Sequence, residues 1–171
     1  PIGADPLCRS GTVTRTFTVV DDFVVGDVDL GVAIDHPERS ELAMDLLSPS
    51  GSRARLVTPD ATMVGFAGLD VWLDDAAADG VHSPVVDDPA APYFERAAYP
   101  DSPLAAFAGE RSGGVWLLRL CDALPGSNEG TFERAQLSLT PRTADLPTGG
   151  SWSYGLPIVG GADGLVQTLS L

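Results

Sequence analysis

The sequence predicts an all-β fold, and three observations support that prediction. Apolar residues recur mostly at every second position, which is the side-chain period of a strand with one buried face. The alternating segments are short and are separated by glycine, proline, asparagine or aspartate, and the 171 residues include 19 glycines and 14 prolines. A hydrophobic fraction of 44% suits one packed domain, so the composition excludes a chain that is disordered as a whole.

The first half of the chain contains four predicted strands. Residues 12–20 and 27–35 place their apolar side chains on one face and polar side chains on the other. Residues 42–47 and 53–57 are the other two segments, and Ser48-Pro49-Ser50-Gly51 between them is a turn sequence. The last two strands are therefore predicted to form a hairpin.

The second half contains a strand that is apolar on both faces. Residues 115–121 are interrupted only by Arg119, which predicts a central strand. Residues 126–130 form a turn sequence before the alternating segment 131–140, so we expect a second hairpin here. Residues 74–114 are acidic and rich in proline, which favours extended loops with one or two short strands. Long ordered loops are a common place for a functional site.

The domain organisation follows from composition. Residues 1–141 form one predicted domain, and residues 142–150 are polar and rich in proline and glycine, like a linker. Residues 151–171 regain a strand pattern and are either extra strands of the same domain or the start of a following module. The chain begins at Pro1 without a leader pattern, so we expect a piece of a longer, processed protein.

The charge balance excludes two classes of partner. The chain has 24 acidic residues against 10 basic ones and a formal net charge of −14. All ten basic residues are arginines scattered singly, so no basic surface is expected for nucleic acid or for an anionic membrane surface. No stretch approaches the roughly 20 apolar residues of a membrane helix. Divalent cations and basic partners suit this composition better.

Cys8 and Cys121 are the only cysteines, and two interpretations are open. They form either a disulfide or two buried free thiols. A metal site would need more ligands than two distant cysteines. We expect the disulfide, which would restrict the unfolded chain and imply export to an oxidising compartment.

Neither histidine lies in a catalytic motif. His36 and His82 occur in turns that contain proline, and no serine lies in a Gly-x-Ser-x-Gly sequence. The segment from His36 to Glu41 contains Pro37 and lacks a second histidine, which excludes a zinc-binding helix there. No pair of carboxylates is marked for acid–base chemistry. We therefore expect no enzyme activity, unless a histidine lies beside both a serine and a carboxylate.

The acidic loops suggest calcium, because calcium takes six to eight oxygen ligands and such loops supply them. Asp74, Asp75, Asp79 and Asp101 are the natural suppliers, although a plain solvated acidic surface is the alternative. Asp27 and Asp29 belong to the alternating strand, where we interpret them as solubilising residues of its outer face.

Seven sequence elements follow one another in the order of a known module. They are Val28–His36, Leu42–Gly51, Leu73–Ala77, Ala91-Pro92-Tyr93, Leu104–Gly109, Gly113–Asp122 and Gly130-Thr131-Phe132. In this order and spacing they resemble the P domain, or P/Homo B domain, of kexin and furin-like proprotein convertases and of bacterial secreted subtilases. The resemblance covers about residues 12–140 and implies a jelly-roll-like β-sandwich of about eight strands.

The resemblance also implies site residues. Asp74 and Asp75 are the implied calcium ligands, with Asp101 and Asp122 as further candidates. The sequence departs from the family where relatives often have Gly-Asp-Leu and this chain has Ser40-Glu41-Leu42. A second departure is Ala135, where relatives often have tryptophan.

The implied function is that of a non-catalytic accessory domain. It would belong to a secreted, bacterial subtilisin-like peptidase or to another multidomain exported protein. Its partner would be the adjacent catalytic or adhesive domain of the same chain. The alternative is a lectin-like module that binds glycans through exposed aromatic side chains. Burial of Trp72 and Trp116 would favour the accessory domain, whereas a flat exposed pair of Trp152 and Tyr154 would favour sugar binding.

Overall fold

The chain folds into two four-stranded β-sheets, which confirms the predicted all-β sandwich of eight strands. The computed structural model describes residues 10–62, 64–123, 130–143, 158–159 and 165–166. The strands of the sandwich are β1 Ser10–Val19, β2 Val25–Asp35, β3 Leu42–Leu47, β4 Arg53–Val57, β5 Leu69–Leu73, β6 Arg96–Ala98, β7 Gly114–Asp122 and β8 Thr131–Pro141. Two short 3-10 helices, Arg39–Glu41 and Leu104–Phe107, lie in the connections. None of the helices in these ranges is long and apolar enough to cross a membrane.

The eight strands are divided equally between the two sheets. Sheet 1 has the order β1-β7-β3-β4 and sheet 2 the order β6-β5-β2-β8. All pairs are antiparallel except β5 with β6. The predicted hairpin of β3 and β4 and the central position of β7 are both confirmed.

The predicted second hairpin was wrong. Strand β7 pairs with β1 and β3, while β8 pairs with β2 in the opposite sheet. Both edges of β7 are therefore occupied. The alternating apolar face of β8 is buried in the core as part of sheet 2. Strand β5 was not predicted, although Leu69, Val71 and Leu73 alternate and are completely buried.

The core lies between the inner faces of the sheets and is closed by aromatic side chains. Trp116 is completely buried, and its ring meets Phe107 edge-on at a centroid distance of 5.2 Å. The Trp116 indole Nε1 donates a hydrogen bond to the carbonyl oxygen of Ser112. The indole is thus satisfied as well as buried, as a tryptophan in a core requires.

Strand β3 is buried on both faces. All six of its residues are buried, including Asp45, whose side chain lies on the outer face of sheet 1. Arg55 Nε lies 2.8 Å from Asp45 Oδ1, and Arg53 and Arg119 contact Oδ2 at 3.0 and 3.4 Å. Three guanidinium groups compensate for the cost of removing this carboxylate from water.

The long connection between β5 and β7 is fastened to the sandwich by a buried ion pair. Arg39 is 2% exposed, and its Nη1 donates to Asp87 Oδ2 at 2.9 Å. Arg39 Nη2 donates to the carbonyl oxygens of Ser83 and Val85. Arg96 adds a bidentate contact to Asp87 at 2.8 and 2.7 Å. The predicted extended loops are therefore ordered by charge pairing as well as by apolar burial.

Two further strands, β9 Ile158–Val159 and β10 Leu165–Val166, pair with each other. Strand β9 lies beside β8, and β10 lies beside β1. The remainder of 151–171, the predicted linker beyond residue 143, and Cys8 lie outside the described residues, so the predicted domain boundaries stay predictions.

Replacing Asp87 with asparagine should reduce the free energy of unfolding by about 3 to 5 kcal/mol, because the buried Arg39 charge would lose its partner. Urea denaturation followed by circular dichroism measures the change. Asp88→Asn is the matched control, since Asp88 is exposed and accepts one local amide hydrogen bond that asparagine can also accept. Equal losses in both variants would contradict this account.

Candidate functional site

Asp74 and Asp75, two of the predicted calcium ligands, follow β5 directly. Asp74 Oδ1 accepts a hydrogen bond from the Ala76 amide at 2.7 Å. The two carboxylate oxygens of Asp75 accept from the amides of Leu104 and Ala105 at 2.9 and 2.7 Å. Asp75 therefore satisfies the first amides of the 3-10 helix Leu104–Phe107, which have no partner within that helix.

Asp29 joins these residues in a cluster that the sequence did not predict. Leu30 pairs with Leu73 across β2 and β5, which places Asp29 next to Asp74. Burial raises the pKa of Asp29 to about 7, and the negative charges of Asp27, Asp74 and Asp75 contribute to the increase. Asp29 is half-buried, so the interpretation of this residue as merely solubilising was incomplete. We call Asp27, Asp29, Asp74 and Asp75 the acidic cluster.

Asp101 has a different position and connects three segments. Its Oδ2 accepts a hydrogen bond from the Thr58 amide at 2.6 Å, and its Oδ1 lies 3.0 Å from His82 Nε2. Burial alone would raise the pKa of Asp101, but the hydrogen bonds from His82 and Thr58 outweigh burial and lower it. The Asp101 carboxylate thus links the end of β4 to the loop that carries His82.

Asp122 lies at the end of β7, in a group with His36 and Glu41. One ligand atom from each residue lies within 4.8 Å of the other two. His36 Nε2 and Asp122 Oδ2 are 3.8 Å apart. Among the residues that the structure describes, no other group of three histidine, cysteine, aspartate or glutamate side chains is this close. The four predicted ligands therefore lie in three separate places, and their roles as calcium ligands stay predictions.

The histidines do not form a hydrolytic triad within the described ranges. His82 contacts the Asp101 carboxylate, and His36 Nδ1 accepts a hydrogen bond from the Glu38 amide. In those ranges neither ring contacts a serine hydroxyl. The geometry that would have indicated nucleophilic catalysis is not found in that part of the chain.

The described tryptophans do not form a platform for sugars. Trp116 is buried in the core. The ring centroids of the half-buried Trp72 and of Phe94 are 6.0 Å apart, with an angle of 52° between the ring planes. Phe94 lies over Gly31, where an added Cβ would come within 2.8 Å of the Phe94 ring. Trp152 and Tyr154 lie outside the described residues.

The described residues do not test the predicted disulfide. Cys121 is buried in a small cluster with Ala43 and Ala123, and no cysteine in the described ranges is free. Since Cys8 lies outside those ranges, its pairing with Cys121 stays a prediction.

An acidic groove of about 320 Å³ opens beside the Arg39–Asp87 pair. It is lined by Asp70, Val85, Val86, Asp87, Asp88, Glu95 and Arg96. Burial raises the pKa of Asp70, and the charges of Asp87 and Glu95 add to the increase against amide hydrogen bonds that lower it. The groove is a negatively charged surface of the long connection.

Comparison with known proteins gives one family match. The family model of the proprotein convertase P-domain matches residues 25–139. No curated protein matches the chain. Similar solved structures include a serine protease of Aeromonas sobria and a complex of that protease with a chaperone. They are 23% and 22% identical, with TM-scores of 0.42 and 0.41, and the matches cover 75% and 77% of this chain. The matched region spans 18% of the length of each of those chains.

The raised pKa of Asp29 predicts a pH-dependent effect of Asp29→Asn. The unfolded pKa is about 3.9 and the folded pKa about 7, so the native state binds the proton more tightly. Stability is therefore lost as pH rises between these values. Above pH 7 the variant should be more stable than the unsubstituted protein by about 1 to 2 kcal/mol, a figure reduced for solvent screening of a half-buried group.

Thermal unfolding at pH 4 and pH 8 tests this expectation, and the gain should disappear at the lower pH. Asp35→Asn is the matched control, because Asp35 is an exposed aspartate on the same strand. A gain of equal size at both pH values would contradict the electrostatic explanation.

Proposed function

This chain belongs to the proprotein convertase P-domain family, and on that basis we propose that it is a non-catalytic accessory domain. Its parent would be a secreted, bacterial subtilisin-like serine endopeptidase or another multidomain exported protein. The observation that carries the proposal is the extent of the family match, which runs from the start of β2 to Leu139 in β8. The domain would stabilise its neighbour in the same chain.

Exposed apolar side chains support a contact with a neighbouring domain at one end of sheet 1. Val20 is 80% exposed and Val115 is 47% exposed. Thr18 pairs with Val115 across β1 and β7, so both valines lie at the end of β1 and the start of β7. A contiguous exposed apolar patch can mark an interface, and these two valines lie on the same outer face of sheet 1. We place the contact surface there.

Deletion of this domain from the parent reading frame tests the proposal. The neighbouring peptidase domain, with its catalytic serine replaced to prevent autolysis, should unfold several degrees lower without residues 1–143. Val115→Asp in the full protein should reproduce part of that decrease, whereas Thr14→Asp, on the same exposed face of sheet 1, should not. An unchanged unfolding temperature after deletion would reject the stabilising role.

We also propose that calcium supports the fold, at the acidic cluster. The carboxylates of this cluster raise one another's energy, as the pKa of Asp29 indicates. A divalent cation bound to oxygen ligands would relieve that repulsion. Asp74 and Asp75 use oxygen lone pairs on local amides, but each carboxylate oxygen has a second lone pair for a metal. Asp101 and Asp122 are further candidates at separate positions.

Thermal unfolding in calcium and in chelator tests the calcium proposal. At calcium concentrations about 100-fold above the dissociation constant, the gain of about 2.7 kcal/mol should raise the unfolding temperature by several degrees. The shift should be larger at pH 8 than at pH 5, because Asp29 is ionised only at the higher pH. Asp29→Asn should reduce the shift, while Asp88→Asn, an exposed residue of the connection between β5 and β6 that lies outside the acidic cluster, should preserve it. No shift in the unsubstituted protein would reject the calcium proposal without contradicting the fold.

A further inference from the structure

His36, Glu41 and Asp122 lie where the two sheets meet at one end of the sandwich. His36 directly follows β2 of sheet 2. Glu41 ends the first 3-10 helix and directly precedes β3, and Asp122 is the last residue of β7. Leu42 pairs with Asp122 in sheet 1, which brings Glu41 beside that carboxylate. Side chains from both layers therefore converge at this point.

Two polar atoms of this group are buried without a hydrogen-bond partner. His36 is 2% exposed, and neither its Nε2 nor Oε2 of Glu41 has a partner. The 3.8 Å between His36 Nε2 and Asp122 Oδ2 is too long for a hydrogen bond. Buried polar atoms without partners are rare in folded proteins and call for a specific explanation, such as a bound ion.

The spacing of the ligand atoms leaves room for one ion. Three atoms within 4.8 Å of one another share a point that is at most about 2.8 Å from each. Zinc binds imidazole nitrogen and carboxylate oxygen at about 2.0 to 2.2 Å. Inward movements of less than about 1 Å would therefore complete three bonds, and a fourth position would remain for water.

We propose that His36, Glu41 and Asp122 bind a divalent transition-metal ion, with zinc as the best match. One imidazole nitrogen and two carboxylates are a donor set that zinc accepts, whereas calcium prefers oxygen ligands alone. The two carboxylates balance the charge of the ion. Because the ligands come from both sheets, the ion would tie the layers together at this end of the sandwich.

Zinc binding requires a change of the His36 tautomer. The Glu38 amide donates to His36 Nδ1 at 3.1 Å, which assigns the proton of the neutral, metal-free imidazole to Nε2. A metal on Nε2 moves that proton to Nδ1, and the Glu38 amide must release it. Three metal–ligand bonds replace this one hydrogen bond. The tautomer of His36 is therefore a direct marker of the bound ion.

Isothermal titration of the 171-residue chain with zinc chloride provides the first test. One zinc ion should bind per chain, and Glu41→Gln should weaken binding at least tenfold because a ligand is lost. Asp35→Asn, which removes an exposed carboxylate beside His36, should change the affinity less than twofold. Circular dichroism confirms that both variants fold. Binding that is equally tight in Glu41→Gln would overturn the proposal, as would no binding at 100 μM zinc, a level at which about 10 μM affinity is easily seen.

Nitrogen-15 spectra of the histidine rings provide the second test and need no variant. His36 should change from the Nε2-protonated to the Nδ1-protonated form when zinc is added, and calcium should not cause this change. His82 is the internal control, since its Nε2 contacts Asp101 in a different part of the fold. A His36 tautomer that stays the same at saturating zinc would place the ion elsewhere and overturn the proposal.

Discussion

The buried pair of Arg39 and Asp87 is the interaction on which the long connection depends. Arg39 lies in the turn between β2 and β3, and Asp87 lies in the segment between β5 and β6. Asp87 also accepts from Arg96 and from the amide of Asp70 in β5. One carboxylate thus joins the β2–β3 turn to β5 and β6. A buried charge without a partner is very unfavourable, so Arg39 stays buried at low cost only while Asp87 is in place.

Three further aspartates connect separate segments of the fold through contacts of their carboxylates. Asp75 holds the amides at the start of a 3-10 helix, Asp101 links β4 to the His82 loop, and Asp45 is compensated by three arginines. In each case a guanidinium group, an imidazole or an amide lies close to the carboxylate. In the acidic cluster, by contrast, burial and the repulsion among carboxylates raise the pKa of Asp29, and in the His36 group His36 Nε2 and Glu41 Oε2 are buried without hydrogen-bond partners. These are the two places where we propose that a cation binds, and they lie on different parts of the fold.

The topology explains why adjacent alternating segments did not form the second predicted hairpin. A turn sequence between two strands indicates only that the chain reverses. Strand β7 already has β1 and β3 at its edges, so β8 crosses to the other layer and pairs with β2. Local sequence contains no information about which edges are already occupied. Asp122, the last residue of β7, lies next to this crossing and close to His36 and Glu41.

The sequence by itself determined the fold class, most strand positions, the β3–β4 hairpin and the family, because side-chain alternation and turn residues are local properties. It also identified Asp74, Asp75, Asp101 and Asp122 as individual acidic candidates. Only the tertiary structure decided which of these carboxylates lie close to other potential ligands. Asp29 meets Asp74 through the pairing of β2 with β5, and residues 36, 41 and 122 meet through contacts between sheets. Ligand groups of this kind depend on distances between residues far apart in the chain, and no periodicity within a segment records those distances.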